Sequence, residues 1–396
     1  MNRLTVAGGL YHERCIWPDW NRVLGSGGRA AAAVVEHVDT ITFHTYASPS
    51  AVQEFRPQAE IDKLDFRPKD VDQFISFEYV HSLSTPVITP SPSQIERYDP
   101  IDAEAEVVLR FGMLEGTARV EAERCVYDPQ SALAPEPFKE NGSYAGKLAI
   151  VGNRSEICEL AGDESPSAAG ARLVEEGAEV VVIKSGAEGA QVITASDATS
   201  VPPYRSDAVW TLGSGDVFAA MFAARWAVHR DSPVEAALLA SAAVSSYAES
   251  RELQVPPVES LLRREAVATK AISRKVYLAS PFFTVSELWL VDDVRRGLSD
   301  LGLEVFSPLH EVGPGPAGEV APADIAALKD CDIVFAILDG LDSGTVFEVG
   351  YARALEKPVY AFAQNVSRGD LTMIEGSGCR VYNDLVTALH HAAWRE

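Results

Sequence analysis

The 396-residue sequence has no long hydrophobic run. No segment reaches the roughly 18 consecutive apolar residues that a membrane-spanning helix needs. The first residues, MNRLTVAGGLYHERC, also lack an apolar stretch long enough for a secretory signal. We therefore expect a cytoplasmic protein that has no membrane partner.

Paired cysteines and clustered histidines are absent as well. The five cysteines are scattered, and none forms a C-x-x-C pair. This usage is typical of reduced thiols in a cytoplasmic protein, and not of a disulfide framework. The eight histidines show no ligand spacing, and we expect the adjacent pair His390 and His391 to lie on a solvated helix. These patterns argue against a metal held by dedicated His and Cys ligands.

Positive charge is scarce. The chain has 34 Lys and Arg against 57 Asp and Glu, a net charge of −23, and no cluster of basic residues. Nucleic-acid polymers and anionic membranes are attracted by basic surfaces, so we expect neither as a partner. Backbone N–H groups bind phosphate without net positive charge, so the composition stays compatible with a small phosphorylated ligand.

The sequence does contain a repeated alternation of strand-like and helical segments. With 47% apolar and 23% charged residues it has an ordinary globular composition, and its length suggests two domains. Residues 255–274 lose the periodic pattern, become polar and begin with a proline pair. The sequence therefore predicts one α/β domain over residues 1–270 and a second over residues 274–396.

The second domain has compact βα repeats. The segments KVYLAS, LEVFSP, DIVFAIL and KPVYAFA predict buried strands, and residues 284–301 predict a helix. PADIAALKD predicts a short helix with Pro322 in its first turn. This pattern indicates a flavodoxin- or Rossmann-like doubly wound parallel sheet, in which ligands bind beyond the carboxyl ends of the strands.

Candidate functional residues lie at or after the predicted strands of this domain, except Asp324, which lies on the helix that leads into the third strand. They are Tyr277, Ser280, Asp324, Asp342, Gly344 and Glu348. A carboxylate beside an open loop suits cleavage of an N-glycosidic bond, because it can attack the anomeric carbon while a second acid assists the departing base. Gly344 keeps the backbone thin where a sugar would lie, and the helix N-terminus is expected to keep Glu348 ionised. Structural roles also fit single residues, such as an N-cap for Asp342 or a core position for Tyr277.

Three segments together resemble the nucleoside 2-deoxyribosyltransferase family. They are VYLASPFF (276–283), ADIAALKDCDIVFAILDG (323–340) and DSGTVFEVGYARALEKPV (342–359). The resemblance implies that Glu348 is the nucleophile and that Tyr277 orients it. Asp342 and Asp324 would hold the sugar and assist proton transfer. It also implies a homo-oligomer and no cofactor for this domain.

A glycine-rich turn marks the first domain. In VWTLGSGDVFAAMFAARW (209–226), Gly213, Ser214 and Gly215 precede a helix with Asp216 in its first turn. Backbone N–H groups of such a turn can bind a phosphoryl group, and an adjacent Asp can take a proton from a substrate hydroxyl.

This turn resembles the signature of the PfkB, or ribokinase-like, carbohydrate kinases. Further matching segments are VAGGLY (6–11), GSGGRAAAAV (25–34), CVYDPQ (125–130), GNRSEICELAG (152–162) and VVVIKSGAEGA (180–190). The resemblance implies a ribokinase-like fold, ATP and Mg²⁺ as cofactors, Asp216 as the base and Gly213 to Gly215 as the anion site. It also places Asn153 and Glu156 near Mg²⁺ and phosphate, with Glu156 acting on the metal indirectly. Gly186 and Gly189 would lie on the nucleotide side.

Three positions of the first domain depart from this family pattern. Trp210 stands where the signature begins with Asp, Arg29 where the family favours Asn, and Lys184 where Thr is usual. The nearest candidate for the acidic sugar ligand is Glu13. These departures leave two hypotheses open, an active kinase domain and a domain that binds its ligand without turnover.

Together the two resemblances predict an enzyme of nucleoside or nucleotide metabolism with small-molecule nucleoside, nucleotide and sugar partners. Its second domain would cleave or exchange an N-glycosidic bond through a glycosyl–Glu348 intermediate, and its first domain would phosphorylate a sugar or nucleoside. The alternative is a nucleoside 5′-monophosphate hydrolase whose kinase-like domain is a ligand sensor. The loop around Ser280 would decide whether a 5′-phosphate is accepted.

Overall fold

The computed structural model describes residues 2–132, 134–268 and 274–394. The chain divides into two compact units, Met1–Val267 and Ala268–Glu396. The predicted end of the first domain, residue 270, lies outside the described residues.

Strands of the first unit form a large and a small sheet. They are β1 (Arg3–Ala7), β2 (His12–Cys15), β3 (Trp20–Val23), β4 (Thr40–Ala47), β5 (Asp65–Asp70), β6 (Ser76–Tyr79), β7 (Val87–Thr89), β8 (Ile101–Phe111), β9 (Ala118–Asp128), β10 (Tyr144–Asn153), β11 (Val180–Lys184), β12 (Ala190–Ile193) and β13 (Ala198–Val201). In the described part of the chain the large sheet has nine strands in the order β13-β12-β11-β10-β9-β8-β1-β4-β5. It is parallel from β11 to β5, and β12 and β13 are antiparallel at one edge. The small sheet has the order β3-β2-β6-β7.

Helices of the first unit cover both faces of the large sheet. They are α1 (Gly25–Ala33), α2 (Pro49–Ile61), α3 (Arg154–Ala161), α4 (Pro166–Glu175), α5 (Ser214–Phe222), α6 (Pro233–Ser250) and α7 (Val258–Leu261), with a π-helical segment, Ala223–Val228, after α5. Helices α1, α2, α5 and α6 share one apolar core with the sheet, and α3 and α4 share another. All nine residues of α1 are buried; eight of them are Gly, Ser or Ala, whose small side chains let the helix pack closely, and the ninth is Arg29. This three-layer arrangement confirms the predicted α/β class.

The second unit is a single parallel sheet with helices on both faces. Its elements are β14 (Arg274–Ala279), α8 (Val285–Asp300), β15 (Leu303–Phe306), α9 (Pro308–Glu311), α10 (Ala317–Asp330), β16 (Ile333–Ile337), α11 (Ser343–Ala354), β17 (Val359–Phe362), α12 (Thr372–Gly376), β18 (Arg380–Tyr382) and α13 (Leu385–Trp394). The strand order β15-β14-β16-β17-β18 is that of a flavodoxin-like sheet. Helices α8 and α13 pack on one face, and α10, α11 and α12 on the other. The predicted doubly wound class is therefore confirmed.

The strand order also marks where a ligand would bind in the second unit. The chain passes from β14 to β15 on one side and then crosses to β16 on the other side of β14. Such a reversal opens a crevice at the carboxyl ends of the two central strands. The residues that follow β14 and β16 are those that carry the predicted site.

Two local predictions are wrong. Helix α10 begins at Ala317, so Pro322 lies inside the helix and not in its first turn. The histidines of α13 are buried, because this helix packs on the sheet: His390 is 5% and His391 is 4% exposed. No helix within the described residues is long and apolar enough to cross a membrane.

Candidate functional site

In the second unit, Tyr277 and Glu348 are joined by a short hydrogen bond. The Tyr277 hydroxyl donates to Glu348 Oε1 at 2.6 Å, although the two residues are 71 positions apart. Tyr277 lies opposite Phe306 in the parallel ladder between β14 and β15, and their rings stack with centroids 5.7 Å apart. The tyrosine is fully buried. Its ring is therefore held by the sheet, and its hydroxyl fixes the position of the carboxyl group.

Glu348 lies in the second turn of α11, which begins at Ser343. Burial raises the pKa of Glu348 to about 7; the Tyr277 hydrogen bond opposes this effect, and the charges of Asp324 and Asp342 add to it. The expectation that the helix N-terminus keeps this group fully ionised is wrong, since burial outweighs the favourable contacts. Glu348 consequently changes charge near neutral pH.

Asp342 and Asp324 approach Glu348 from two different elements. Asp342 is the N-cap of α11 and accepts hydrogen bonds through Oδ2 from the backbone N–H of Thr345 at 2.8 Å and from its hydroxyl at 3.1 Å. Asp324 lies on α10, and its Oδ1 is buried without a hydrogen-bond partner among the described residues. Burial also raises the pKa of Asp324. The structure thus brings three carboxyl groups and one tyrosine together.

Three further residues lie near the carboxyl ends of β14 and β16: Ser280 and Gly344, which were predicted, and Asp339. Ser280 directly follows β14 and is 9% exposed. A side chain at Gly344 would begin 3.1 Å from Asp342 Oδ2, so glycine leaves room at the cap. Asp339, after β16, accepts backbone hydrogen bonds from Gln364 at 2.9 Å and Asn365 at 2.8 Å. Asp339 therefore joins two loops of the site.

A cavity of about 640 Å³ in the first unit collects most of the residues predicted there. The predicted residues in its lining are Asn153, Glu156, Gly186, Gly213, Ser214, Gly215 and Asp216. Gly189 does not line it. Gly189 has a φ of +86°, and an added Cβ would lie 2.1 Å from the carbonyl oxygen of Val201, so this glycine is required by the turn itself.

Asp216 is engaged through both of its carboxylate oxygens. Arg29 Nη1 donates to Oδ2 at 2.6 Å, and Gln130 Nε2 donates to Oδ1 at 2.6 Å. Arg29 is 1% exposed and also pairs with the carboxylate of Glu13, which is buried too. Arg29 therefore bridges two buried acids at the wall of the cavity.

Burial and neighbouring charges shift the pKa values of the groups in this bridge. Burial alone would lower the pKa of Arg29, but the neighbouring Glu13, Tyr247 and Asp216 outweigh it and hold the pKa well above its ordinary value. Burial raises the pKa of Glu13, an effect that the guanidinium of Arg29 opposes. The arrangement depends on Arg29, because without it two acids would be buried with no positive partner.

A second buried ion pair lies beside the glycine turn. Lys184 Nζ is 2.6 Å from Asp128 Oδ2, and a Cβ on Gly215 would lie 3.2 Å from the same Nζ. Asp128 is fully buried, and burial raises its pKa to about 7. Because Lys184 also lines the cavity, its ammonium group faces the predicted phosphate site.

Asn153 and Glu156 form a capping box at the start of α3. Asn153 Oδ1 accepts from the Glu156 backbone N–H at 2.9 Å, and Glu156 Oε2 accepts from the Asn153 N–H at 2.7 Å. Among the residues that the structure describes, no group of three or more His, Cys, Asp or Glu could hold a metal ion. A Mg²⁺ ion near Glu156 would therefore need phosphate oxygens of a ligand to complete its coordination.

Some contributors were not identified from the sequence. Phe306 and Gln130 have no special pattern, although Phe306 lies in the predicted strand LEVFSP and Gln130 ends the quoted CVYDPQ segment. Arg29 and Lys184 stood out as departures and Glu13 as a candidate sugar ligand. Their contacts, however, join distant segments: Arg29 and Asp216 are 187 positions apart.

The fold of the first unit is ribokinase-like. Arabidopsis thaliana ribokinase, in complex with ribose and ATP, has a TM-score of 0.51 and 17% identity over 66% of this chain and 98% of its own. Methanocaldococcus jannaschii nucleoside kinase has a TM-score of 0.50 and 12% identity over 66% of this chain and 97% of its own. A Vibrio cholerae fructokinase double mutant, bound to fructose, ADP and potassium, has a TM-score of 0.50 and 14% identity over 66% and 99%.

Family models match both units. Residues 144–259 match the pfkB family carbohydrate kinases, and residues 276–381 match the nucleoside 2-deoxyribosyltransferases. No curated protein matches the sequence. The chain thus combines a PfkB, ribokinase-like kinase domain with a C-terminal nucleoside 2-deoxyribosyltransferase domain.

Proposed function

We propose that the C-terminal domain cleaves the N-glycosidic bond of a nucleoside or nucleotide, with Glu348 as the nucleophile. The observation that carries this proposal is the 2.6 Å hydrogen bond from Tyr277 to Glu348. It holds one carboxyl oxygen in place and leaves the other oxygen to attack. A carboxyl group positioned in this way, within a family of deoxyribosyltransferases, suits covalent glycosyl transfer.

The proposed reaction has two halves. In the first, a Glu348 oxygen forms a bond to the anomeric carbon of the sugar, and the bond from that carbon to the base nitrogen breaks. The base leaves with the electron pair and takes a proton from a neighbouring acid. Asp324 suits this donor role, because burial raises its pKa. In the second half, an acceptor base or a water molecule displaces Glu348.

Transfer and hydrolysis differ only in the acceptor of the second half. Base exchange would make the domain a transferase, and attack by water would make it a hydrolase. A substrate with a 5′-phosphate would need space and hydrogen-bond donors at the end of β14, where Ser280 lies. The nucleoside 5′-monophosphate hydrolase therefore remains the alternative to the transferase.

The test is a chromatographic assay of base release and base exchange. The full chain is incubated with deoxynucleosides, ribonucleosides and their 5′-monophosphates, with and without an acceptor base. We expect release or exchange from at least one substrate and its loss in Glu348→Gln. Glu304→Gln, the same change at an exposed position of β15, is the matched control and should retain activity. Equal activity in Glu348→Gln would refute the nucleophile.

For the N-terminal domain, two functions place a phosphorylated ligand in the same cavity. ATP-dependent phosphorylation of a sugar or nucleoside is favoured by the joint position of the Gly213–Gly215 turn, Asp216 and Glu156. ATP would supply the phosphoryl group, and Mg²⁺ would neutralise its charge. A ligand sensor without turnover is favoured by the contacts that occupy both oxygens of Asp216. Acceptor-dependent ATP consumption that is lost in Asp216→Asn would establish the kinase.

A further inference from the structure

The surroundings of Asp216 bear on whether phosphoryl transfer can occur. A base in such a reaction must reach the acceptor hydroxyl directly and then take its proton. Donors at 2.6 Å already occupy both carboxylate oxygens, one from Arg29 and one from Gln130. Asp216 is therefore arranged as an ion-pair partner more than as a base.

Arg29 is fixed in this position by several contacts. Its Nε donates to the Tyr247 hydroxyl at 3.2 Å, and its Nη2 donates to Glu13. A Cβ on Gly213 would lie 2.1 Å from Arg29 Nε, so the glycine turn packs directly against the guanidinium. The side chain is 1% exposed and lies at the wall of the cavity, so these contacts hold it beside Asp216. An acceptor hydroxyl at Asp216 would have to share the carboxylate with Arg29 and Gln130.

Trp210 belongs to the same network. Its indole N–H donates to the Tyr247 hydroxyl at 3.3 Å, and that hydroxyl also accepts from Arg29 and donates to the Leu212 carbonyl at 2.9 Å. Two of the positions at which the sequence departs from the kinase pattern are thus connected through one tyrosine. These two departures form one hydrogen-bonded unit.

Lys184 places a second positively charged group in the lining of the cavity. Its ammonium group lies beside Gly215 and is held by the buried carboxylate of Asp128, while its side chain is 15% exposed. A lysine ammonium carries three N–H donors. In the structure Lys184 Nζ donates to one oxygen of Asp128, Oδ2. A cation next to backbone N–H groups at a helix start is suited to phosphate oxygens.

We propose that the N-terminal domain binds a phosphorylated ligand of nucleotide size without transferring its phosphoryl group. Arg29 occupies the place of the acceptor beside Asp216, and Lys184 is a direct phosphate contact. This inference rests on the ligand-sensing alternative for this domain and does not depend on the reaction at Glu348. The volume of the cavity, about 640 Å³, is within the range of small-molecule sites.

The first experiment measures binding to the full chain by calorimetry, with ATP, ADP, AMP and pyrophosphate as probes. We expect at least one probe to bind and its affinity to fall at least about tenfold in Lys184→Met. Because that change leaves Asp128 buried and unpaired, the double variant Asp128→Asn/Lys184→Met is measured beside it and should show the same loss. Lys147→Met removes an exposed lysine of the same domain and serves as the control.

The second experiment measures ATP consumption in the presence of a panel of sugars and nucleosides. We expect no acceptor-dependent turnover in the wild-type chain. Turnover that disappears in Asp216→Asn would overturn the claim that Arg29 closes the acceptor side. Failure of every phosphorylated probe to bind, or equal binding in the wild type and the Asp128→Asn/Lys184→Met chain, would overturn the phosphate site. Base release at Glu348 is scored separately, so either domain can fail without the other.

Discussion

Opposing influences act on the carboxyl group of Glu348. Burial favours its neutral form, and the Tyr277 hydroxyl favours its ionised form. A nucleophile must be ionised, so a pKa of about 7 means that part of the population is inactive at neutral pH. Tyr277 therefore has two effects, since it fixes the oxygen in space and increases the ionised fraction.

This balance predicts the pH dependence of base release. For the wild-type chain, kcat/KM should rise as pH increases through about 7, because Glu348 loses its proton over this interval. Tyr277→Phe removes the contact that lowers the pKa of Glu348, so the rising limb should move to higher pH. Tyr351→Phe, on the same helix as Glu348, should leave the limb unchanged. An unshifted profile in Tyr277→Phe would show that the hydroxyl does not act on Glu348.

The ion pairs of Arg29 are expected to contribute to the stability of the folded chain. In Arg29→Met, Glu13 and Asp216 would stay buried without a positive partner, and the loss should be about 3–5 kcal/mol of unfolding free energy. Urea denaturation measures it. Arg172→Met removes an exposed i,i+4 pair and should change stability by less than about 1 kcal/mol. The triple variant Glu13→Gln/Arg29→Met/Asp216→Asn should recover most of the loss; an unchanged midpoint in Arg29→Met would contradict the role of the bridge.

The helices and strands were largely predictable from the sequence, because their signals are local. Apolar segments located β14 to β17, and the helical spacing of apolar residues located α8. Predictions were wrong where the environment decided the outcome. Pro322 is a typical first-turn residue, yet α10 extends one and a half turns before it, and His390 is polar, yet α13 is covered on that side.

Gly350 offers a test of helix α11. It lies inside the helix with ordinary φ, and an added Cβ would have no atom within 4 Å. Gly350→Ala should therefore raise the unfolding free energy by about 1 kcal/mol, since alanine loses less backbone entropy than glycine. Thermal melts measure this change. A melting temperature below that of the wild type would contradict the described helix. If the variant is as stable as the wild type or more stable but no longer releases base, the sugar would lie against Gly350.

For the chain as a whole, motif order predicted the two families, whereas the contacts that define each site could not be predicted. Tyr277 with Glu348, and Arg29 with Asp216, lie 71 and 187 positions apart. Single-sequence patterns extend over a few residues, so they located each partner but not the pairing. The sequence showed Arg29 and Trp210 as separate departures, and it could not show that both contact the hydroxyl of Tyr247.

The resemblance to deoxyribosyltransferases also predicts a homo-oligomer. Phe283, Val285 and Trp289 are 73%, 64% and 74% exposed around the start of α8, and Val285 and Trp289 share one helix face. We expect light scattering after size-exclusion chromatography to show more than one copy of the chain, and Trp289→Glu to shift the protein toward a smaller species. A monomeric wild-type chain, or an oligomer unaffected by Trp289→Glu, would exclude this face as the contact.

The central claim, a covalent intermediate on Glu348, is tested most directly by mass spectrometry of the intact chain. The protein is mixed with a substrate that releases its base, quenched in acid within one turnover, and digested. We expect a mass increase equal to the sugar, located on the peptide that contains Glu348 and absent in Glu348→Gln. An adduct on another residue, or base release with no adduct under conditions where the second half-reaction is slow, would contradict the account.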